Sequence, residues 1–566
     1  MTSRPLDVRS LPGTADLDNP LYYLENFETV VSWVHTHHGD LLSAAERDCL
    51  KALTGLTRPA RALLVRMVMR SGDCFRLDKL RYPELGAPEP RAAAELVRHG
   101  WLEADPLLPA TELLRLFTLR ELRPALAGRM ATAGLKTSAS KAALRTALMQ
   151  QQPNPLPLHH WSAHLDAEVL RVRHGALFDR LRLMFFGNLR QSWSDFVLVE
   201  LGHHRYEPVP LSAESRAFGT RAEVDCYLLL HDCRERLDAG EAPATVWQDA
   251  PERLDNPWLE TRRARLLFEL GKLAERGGDT ALALTAFEQS GHRQARLRQL
   301  RLLERLKEYR QAWTLAHEAL GLYAGEERGL ERILKRLAKK LERPAQPVPV
   351  RPAIETVTLT LAPQPGHSVE GSAMNHLHSD DAPVFYVENT LFNGLFGLLC
   401  WEALFAPLPG AFFHPFHPGP VDLYREDFVA RRQTLFDRCL ARLSDGRYQQ
   451  HLWQTWSAKQ GITNRFVIWP VLSEDLLQLA LDCIPASHLR LIFERKLRNL
   501  REYRSGFPDL IRFRPGQPDP ERRYEMIEVK GPGDRLQDHQ QRWLEFFIAN
   551  GISASVCHVR WQVPDG

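Results

Sequence analysis

The chain has 566 residues, 44% of them hydrophobic and 25% charged, with a formal net charge of +3 and a mean hydropathy of −0.32. These values are those of a soluble globular chain, exclude one dominated by membrane spans, and predict roughly three to five domains. Because the balance of charge is nearly neutral, a nucleic-acid enzyme of this composition must concentrate its basic residues locally.

Residues 1–13 contain no apolar core of the kind a signal peptide needs. The eight cysteines are scattered, with no CxxC pair and no His/Cys cluster at zinc spacing, which reads as buried free thiols in a reducing, cytoplasmic compartment. In the region 1–105, 59–70 and 91–100 read as helices, and Trp101-Leu102-Glu103 as a short strand after a helix-ending Gly100. That order suits a winged-helix-like unit, and equally a helical packing domain that touches no DNA.

Over 106–152 the apolar pattern tightens: Leu113, Leu114, Leu116 and Phe117, then Leu119, Leu122 and Leu126, then a loop around Gly134-Leu135-Lys136-Thr137 before Lys141-Ala142-Ala143-Leu144. Two short amphipathic helices joined by an extended loop have the form of a SAP-like module, with a plain helical hairpin as the alternative. Lys136, Lys141 and Arg145 are its phosphate-facing candidates.

Proline-rich stretches at Pro153-Asn154-Pro155-Leu156-Pro157 and at 344–352 are poor helix interiors and good linkers, so the next region is set at 153–350. It reads as helical, with 267–274 followed by 277–283, and 302–306 followed by 309–313, resembling two degenerate tetratricopeptide (TPR) repeats. Arginines crowd 293–310, which suits either a solvated helix face or a DNA-tracking groove.

The last region, 351–566, carries the chemistry. Its most apolar stretch, 391–413, is broken by Asn393, Glu402, Pro407 and Pro409, so no membrane span is expected. In the alternating run 524–530, Glu528 and Lys530 are two apart and share one face of a strand, while Ile527 and Val529 turn to the core. Asp509 follows a Gly506-Phe507-Pro508 turn and opens the neighbouring strand of a hairpin turned at Pro515-Gly516-Gln517-Pro518. Two carboxylates on adjacent strands can hold one hard, oxygen-seeking cation. After the loop 530–536, a helix beginning near Asp538 carries Gln540 and Trp543 at helical spacing. Arginines and lysines at 495–514, among them Arg498, Arg501 and Arg504, are candidates for phosphate contact beside this site. Two carboxylates leave a cation short of ligands. Glu388, opening the apolar segment 389–401, is the choice for a third, with a first-turn glutamate stabilised by the helix dipole as its alternative.

The segment 506–543 resembles the VRR-NUC module, a branch of the PD-(D/E)xK, restriction-endonuclease-like phosphodiesterases. Tyr22-Tyr23-Leu24, 77–82, the SAP-like segment, 172–185, 388–401, Val421-Asp422-Leu423 with Phe428 and Arg431-Arg432, and 528–543 occur in the order seen in the Fanconi-associated nuclease family. The resemblance implies a bacterial-type member, mainly helical and multidomain, ending in an α/β nuclease domain. It implies a monomeric structure-specific endonuclease that cuts near the base of 5′ flaps, degrades DNA 5′ to 3′, acts on branched or flapped DNA in interstrand crosslink repair, and associates with the nucleoid. It further implies that Glu388, Asp509 and Glu528 with the Val529 carbonyl hold one or two Mg²⁺ or Mn²⁺ ions, and that Lys530 and Gln540 are the catalytic lysine and its accompanying glutamine. A catalytically decayed DNA-binding scaffold and a junction-resolving nuclease are the competing expectations. Two departures stand out: no segment has the Cys/His spacing of the ubiquitin-binding zinc finger of eukaryotic relatives, and Tyr386-Val387-Glu388-Asn389 replaces a Gly-rich form.

Overall fold

The computed structural model describes residues 19–85, 89–191, 193, 205–321, 326–344, 352–363 and 366–562. Residues 1–13 and 345–351, on which the signal-peptide and second-linker expectations fall, lie outside them. The chain forms two compact units, Met1–His203 with Phe218–Val224, and His204–Ala217 with Asp225–Gly566.

In the first unit, helices Tyr22–His38, Ala44–Thr54 and Arg58–Val68 precede the first strand of a small antiparallel sheet, and helix Glu89–Arg98 follows that strand. Ser43 and Glu46 close a reciprocal capping box on the second helix, and Thr57 caps the third, which carries proline in its first turn. Strands β1 (Cys74–Arg76), β2 (Leu102–Ala104) and β3 (Val169–Val172) pair in the order β1-β3-β2. The central strand therefore comes from beyond residue 152, and the expected boundaries at 105 and 152 fall inside one unit. Leu156 pairs with Leu108 across the proline-rich stretch, and Leu158 and Trp161 pack with Leu113, Leu122, Leu144 and Leu148. Proline interrupts helix but tolerates an isolated bridge, so these prolines end an element without separating domains.

In the second unit, helices Pro257–Gly277, Thr280–Ser290, Ala295–Arg305 and Tyr309–Glu318 follow one another across short connections, with helix Glu327–Lys340 next in the chain. The first two approach so closely that a Cβ at Gly271 would lie 2.7 Å from the Phe287 ring, and Ala283 and Ala286 are wholly buried there. Small residues at such a crossing let two backbones meet. Several arginines of 293–310 are held in ion pairs, Arg293 to Glu502 at 2.9 Å and Arg298 and Arg305 to Glu275 at 2.8 and 3.0 Å.

A five-stranded mixed sheet closes the unit: β4 (Glu355–Leu361), β5 (Val384–Tyr386), β6 (Leu510–Phe513), β7 (Tyr524–Lys530) and β8 (Ala554–Trp561), in the order β4-β8-β7-β6-β5. β8 runs parallel to both β4 and β7, while β5, β6 and β7 are antiparallel neighbours. Both faces are covered at β6, β7 and most of β8, while the edge strand β4 is largely exposed. Ile527, Val529, Leu510 and Val559 pack with Ala373 of helix Val369–Leu377, whereas Ile511, Tyr524 and Met526 pack with helix Leu391–Leu399 and with Trp543 and Phe547 of helix Asp538–Ala549. Among the described residues no single helix is long and apolar enough to cross a membrane. The apolar segment expected to be no span is the buried helix Leu391–Leu399 and the core residues after it.

Candidate metal centre

Asp509 immediately precedes β6 and Glu528 lies on the neighbouring β7, brought side by side because Leu510 pairs with Ile527 in the β6–β7 register. The turn between these strands spans 514–523 and includes a short 3₁₀ segment, longer than the four-residue turn expected. Asp509 Oδ2 accepts the Val529 N–H at 2.8 Å, and Val387 N–H donates to the Asp509 carbonyl at 2.8 Å, so the aspartate is tied to strands on either side. Glu528 is wholly buried and receives Lys530 Nζ at 2.6 Å. Lys530 is itself only 8% exposed.

The turn before Asp509 is clamped by helix Asp538–Ala549. Gly506 has φ of +91°, and a Cβ there would meet the His539 carbonyl at 2.7 Å, so both conformation and space demand glycine. Phe507 stacks on Trp543 with ring centres 4.0 Å apart, and Trp543 Nε1 donates to the Ser505 carbonyl at 3.1 Å. These contacts explain the conjunction of Gly-Phe-Pro-Asp with a tryptophan some thirty-five residues later.

Glu388 lies in the turn between β5 and helix Leu391–Leu399, three residues ahead of the helix. A first-turn role stabilised by the helix dipole is thereby removed. Its Oε2 accepts from the Tyr386 hydroxyl at 2.6 Å and its Oε1 from Asn389 Nδ2 at 3.0 Å. Gln540 lies in the first turn of its helix, where Oε1 accepts the Gln537 N–H at 3.0 Å as half of a capping box. Sequence reasoning missed Tyr386 and Asn389 as partners, naming them only as departures from a pattern. It also missed Glu370, whose charge acts on Asp509 and Tyr386.

Electrostatics set these acids apart. Burial pushes the Asp509 carboxyl up to about 6, with the Val529 N–H opposing and the Glu388 charge adding to the rise. Glu528 is pushed up to about 7, first by burial, then by the charge of Asp509, with Lys530 opposing. Glu528 Oε2 is buried without a hydrogen-bond partner. A buried carboxylate oxygen with no donor costs free energy unless something positive meets it. Carboxylates with a backbone carbonyl form an all-oxygen donor set, which suits a hard divalent cation such as Mg²⁺ or Mn²⁺.

In the first unit, donor atoms of Asp73, Cys74 and Glu112 lie within 4.8 Å of one another, a grouping that could hold a metal ion. Two guanidinium groups already occupy its neighbourhood. Arg115 pairs with Glu112 at 2.8 Å, and Arg171 lies 3.6 Å from Asp73 and donates to Cys74 Sγ at 3.4 Å. Burial pushes the Cys74 thiol up to about 12, away from the thiolate a metal requires.

The basic candidates divide. Lys496 is fully buried, Arg495 lies over the rings of Tyr503, Trp543 and Phe546, and Arg512 and Arg514 pair with Glu525. Lys496 is thereby withdrawn from the expected phosphate contact, and Arg495, Arg512 and Arg514 are half-buried, whereas Arg498, Arg501, Arg504, Lys136, Lys141 and Arg145 are solvent-exposed. Lys141 Nζ also donates to the Phe117 carbonyl at 3.4 Å, and Arg504 to the Tyr424 hydroxyl at 2.9 Å. Asp422 and Arg432 form a fully buried ion pair at 2.9 Å, so that part of the shared pattern is structural.

Two family models match the chain, a VRR-NUC domain over 443–561 and a FAN1 HTH domain over 21–103. The Fanconi-associated nuclease 1 homolog of Pseudomonas aeruginosa is 46% identical over 566 residues, covering 99% of both chains, and that of Arabidopsis thaliana is 24% identical, covering 95% of this chain and 67% of the relative. A crystal structure of paFAN1 bound to 2nt 5′ flap DNA with gap superposes with a TM-score of 0.83 at 45% identity, covering 97% of this chain and all of that one. A second, bound to 1nt 5′ flap DNA with gap, gives a TM-score of 0.82 with 96% of this chain covered. With buried, under-neutralised acids at the end of a VRR-NUC sheet and near-complete coverage by a relative of the same architecture, the chain belongs to the Fanconi-associated nuclease 1 family.

Proposed function

We propose that this chain is a structure-specific DNA endonuclease that cuts near the base of 5′ flaps by metal-dependent phosphodiester hydrolysis, with a 5′–3′ exonuclease activity serving interstrand crosslink repair. The observation that carries the chemistry is Glu528, wholly buried beside Asp509 with one carboxylate oxygen lacking a donor. The likeness to paFAN1 in complex with 5′ flap DNA supports the substrate class.

Glu388, Asp509 and Glu528, with the Val529 carbonyl, are the residues that would hold one or two Mg²⁺ or Mn²⁺ ions. Such an ion supplies Lewis-acid polarisation of the phosphate and lowers the pKa of bound water. Asp509 is oriented by the Val529 N–H, and Glu528 by Lys530, which would offset charge developing on the attacked phosphate. Gln540 would act through its capping bond, fixing where helix Asp538–Ala549 begins.

Three acids hydrolyse whatever phosphodiester they are offered, so flap preference has to come from other parts of the chain. The finer division into a winged-helix-like segment, a SAP-like segment at 106–152 and a TPR-like array within 153–350 belongs to the same proposal. Exposed Lys136, Lys141 and Arg145 would grip one duplex arm, and Arg498, Arg501 and Arg504 the backbone beside the site. The free cysteines suit a reducing, cytoplasmic compartment.

Cleavage of an end-labelled 5′-flap duplex, with and without Mn²⁺ or Mg²⁺, tests the reading against Asp509→Ala. Metal-dependent incision near the junction, lost in the variant while DNA binding persists, is expected. Binding without cleavage under every metal would leave a DNA-binding scaffold instead.

A further inference from the structure

Of the three acids proposed to hold metal, Glu528 lies on β7, while Glu388 and Asp509 come from two turns far apart in sequence, the β5–helix turn and the 505–509 turn before β6. One side chain joins them. Asn389 Nδ2 donates to Glu388 Oε1 at 3.0 Å, while its Oδ1 accepts the Phe507 N–H at 3.2 Å, two residues before Asp509. Its backbone sits in the left-handed region, with φ of +52°, a conformation that asparagine adopts more readily than most residues and that aims the amide between the two segments.

Behind it stands a second asparagine. Asn393 Nδ2 donates to the Asn389 carbonyl at 2.6 Å and to the Arg504 carbonyl at 2.8 Å, so it too spans from the helix to the chain leading into Asp509. Its Oδ1 accepts from Lys496 Nζ, and that side chain is fully buried, its nitrogen lying near the rings of Phe396, Phe466 and Phe507. The buried Lys496 nitrogen supplies the donor that orients the Asn393 amide. On the solvent side the Tyr386 hydroxyl holds the other oxygen of Glu388 at 2.6 Å.

We propose that Asn389 is a positioning residue that sets the Glu388 carboxylate relative to Asp509, with Asn393 and Lys496 fixing its backbone and Tyr386 holding the outer oxygen of Glu388. This rests on the reading of Glu388 and Asp509 as metal ligands. Groups that orient metal ligands without touching the ion typically govern affinity by about 10- to 100-fold.

The test is Mn²⁺ binding to the DNA-free protein, followed by electron paramagnetic resonance and titration calorimetry, in wild type, Asn389→Gly, Tyr386→Phe, Glu388→Ala and Asp509→Ala. Glycine at 389 keeps the left-handed backbone while deleting both side-chain hydrogen bonds, and Tyr386→Phe changes one exposed hydroxyl, so both variants are expected to retain the fold. We expect Asn389→Gly to weaken Mn²⁺ binding by about tenfold or more and Tyr386→Phe by a smaller factor. Flap cleavage by Asn389→Gly should return towards the wild-type rate as Mn²⁺ is raised, with KM for DNA unchanged. Mn²⁺ affinity in Asn389→Gly within about twofold of wild type, while Glu388→Ala and Asp509→Ala lose it, overturns the positioning role and spares the metal-site reading. If those two alanine variants bind Mn²⁺ as wild type does, the metal-site reading itself fails and the positioning role falls with it.

Discussion

Two groupings of acids in this molecule look alike on paper and differ in what surrounds them. Asp73, Cys74 and Glu112 are drawn within 4.8 Å of one another, but Arg115 and Arg171 pair with them. Asp509 and Glu528 have one lysine, raised proton affinities and an oxygen without a donor. Proximity of ligand-type atoms is thus a poor guide to a cation site. The telling sign is acid that the protein buries and leaves under-neutralised, because such an arrangement costs stability unless an ion arrives.

The strongest way to break that comparison is to neutralise the second grouping. Glu528→Gln and Lys530→Met should each reduce flap cleavage by several kcal/mol of lost charge stabilisation, a fall of about a hundredfold or more at about 1.4 kcal/mol per tenfold. DNA affinity, read by fluorescence anisotropy without metal, should change little in either variant. Full activity in Glu528→Gln would place the chemistry elsewhere.

A smaller effect sharpens the comparison through pH. Asp509 at about 6 and Glu528 at about 7 sit above the ordinary carboxylate range, so the folded protein binds more protons than the unfolded chain over the interval between ordinary and raised values. Stability from these groups is therefore present below that interval and is lost as pH rises through about 6 to 7. Thermal unfolding in EDTA should show the midpoint falling across this window, and saturating Mn²⁺ should remove most of the fall because the ion takes the place of the proton. A metal-free midpoint that rises over the same window would contradict the assignment.

The smallest expected effect belongs to the first grouping. Asp73→Ala and Glu112→Ala should leave the Mn²⁺ dependence of cleavage unchanged to within about twofold, and cost stability by about 1 kcal/mol or less for an ion pair that is partly exposed. A shift in metal dependence from either substitution would give that grouping a function.

Much of the nuclease site is legible in the sequence. The strand alternation that puts Glu528 and Lys530 on one face, the glycine turn ahead of Asp509 and the helix near Asp538 all depend on periodicity and turn chemistry, which act over a few residues. The proline-rich stretch at 153–157 misleads for the same reason. Its local effect, ending a helix, is real, while the pairing of β3 with β1 and β2, Arg171 opposite Cys74 and Val172 opposite Leu102, joins distant segments and leaves no local mark.

The sequence by itself determined the chemical class, because carboxylates and a lysine at strand spacing need only the pleat of a strand to come together. Only the tertiary structure decided how those groups behave. Burial of Glu528, withdrawal of Lys496 into the core and the bridging of Glu388 to the Asp509 turn by Asn389 arise from helices closing over the sheet. Desolvation and hydrogen bonding between distant segments are properties of packing, and packing is fixed only when the whole chain has folded.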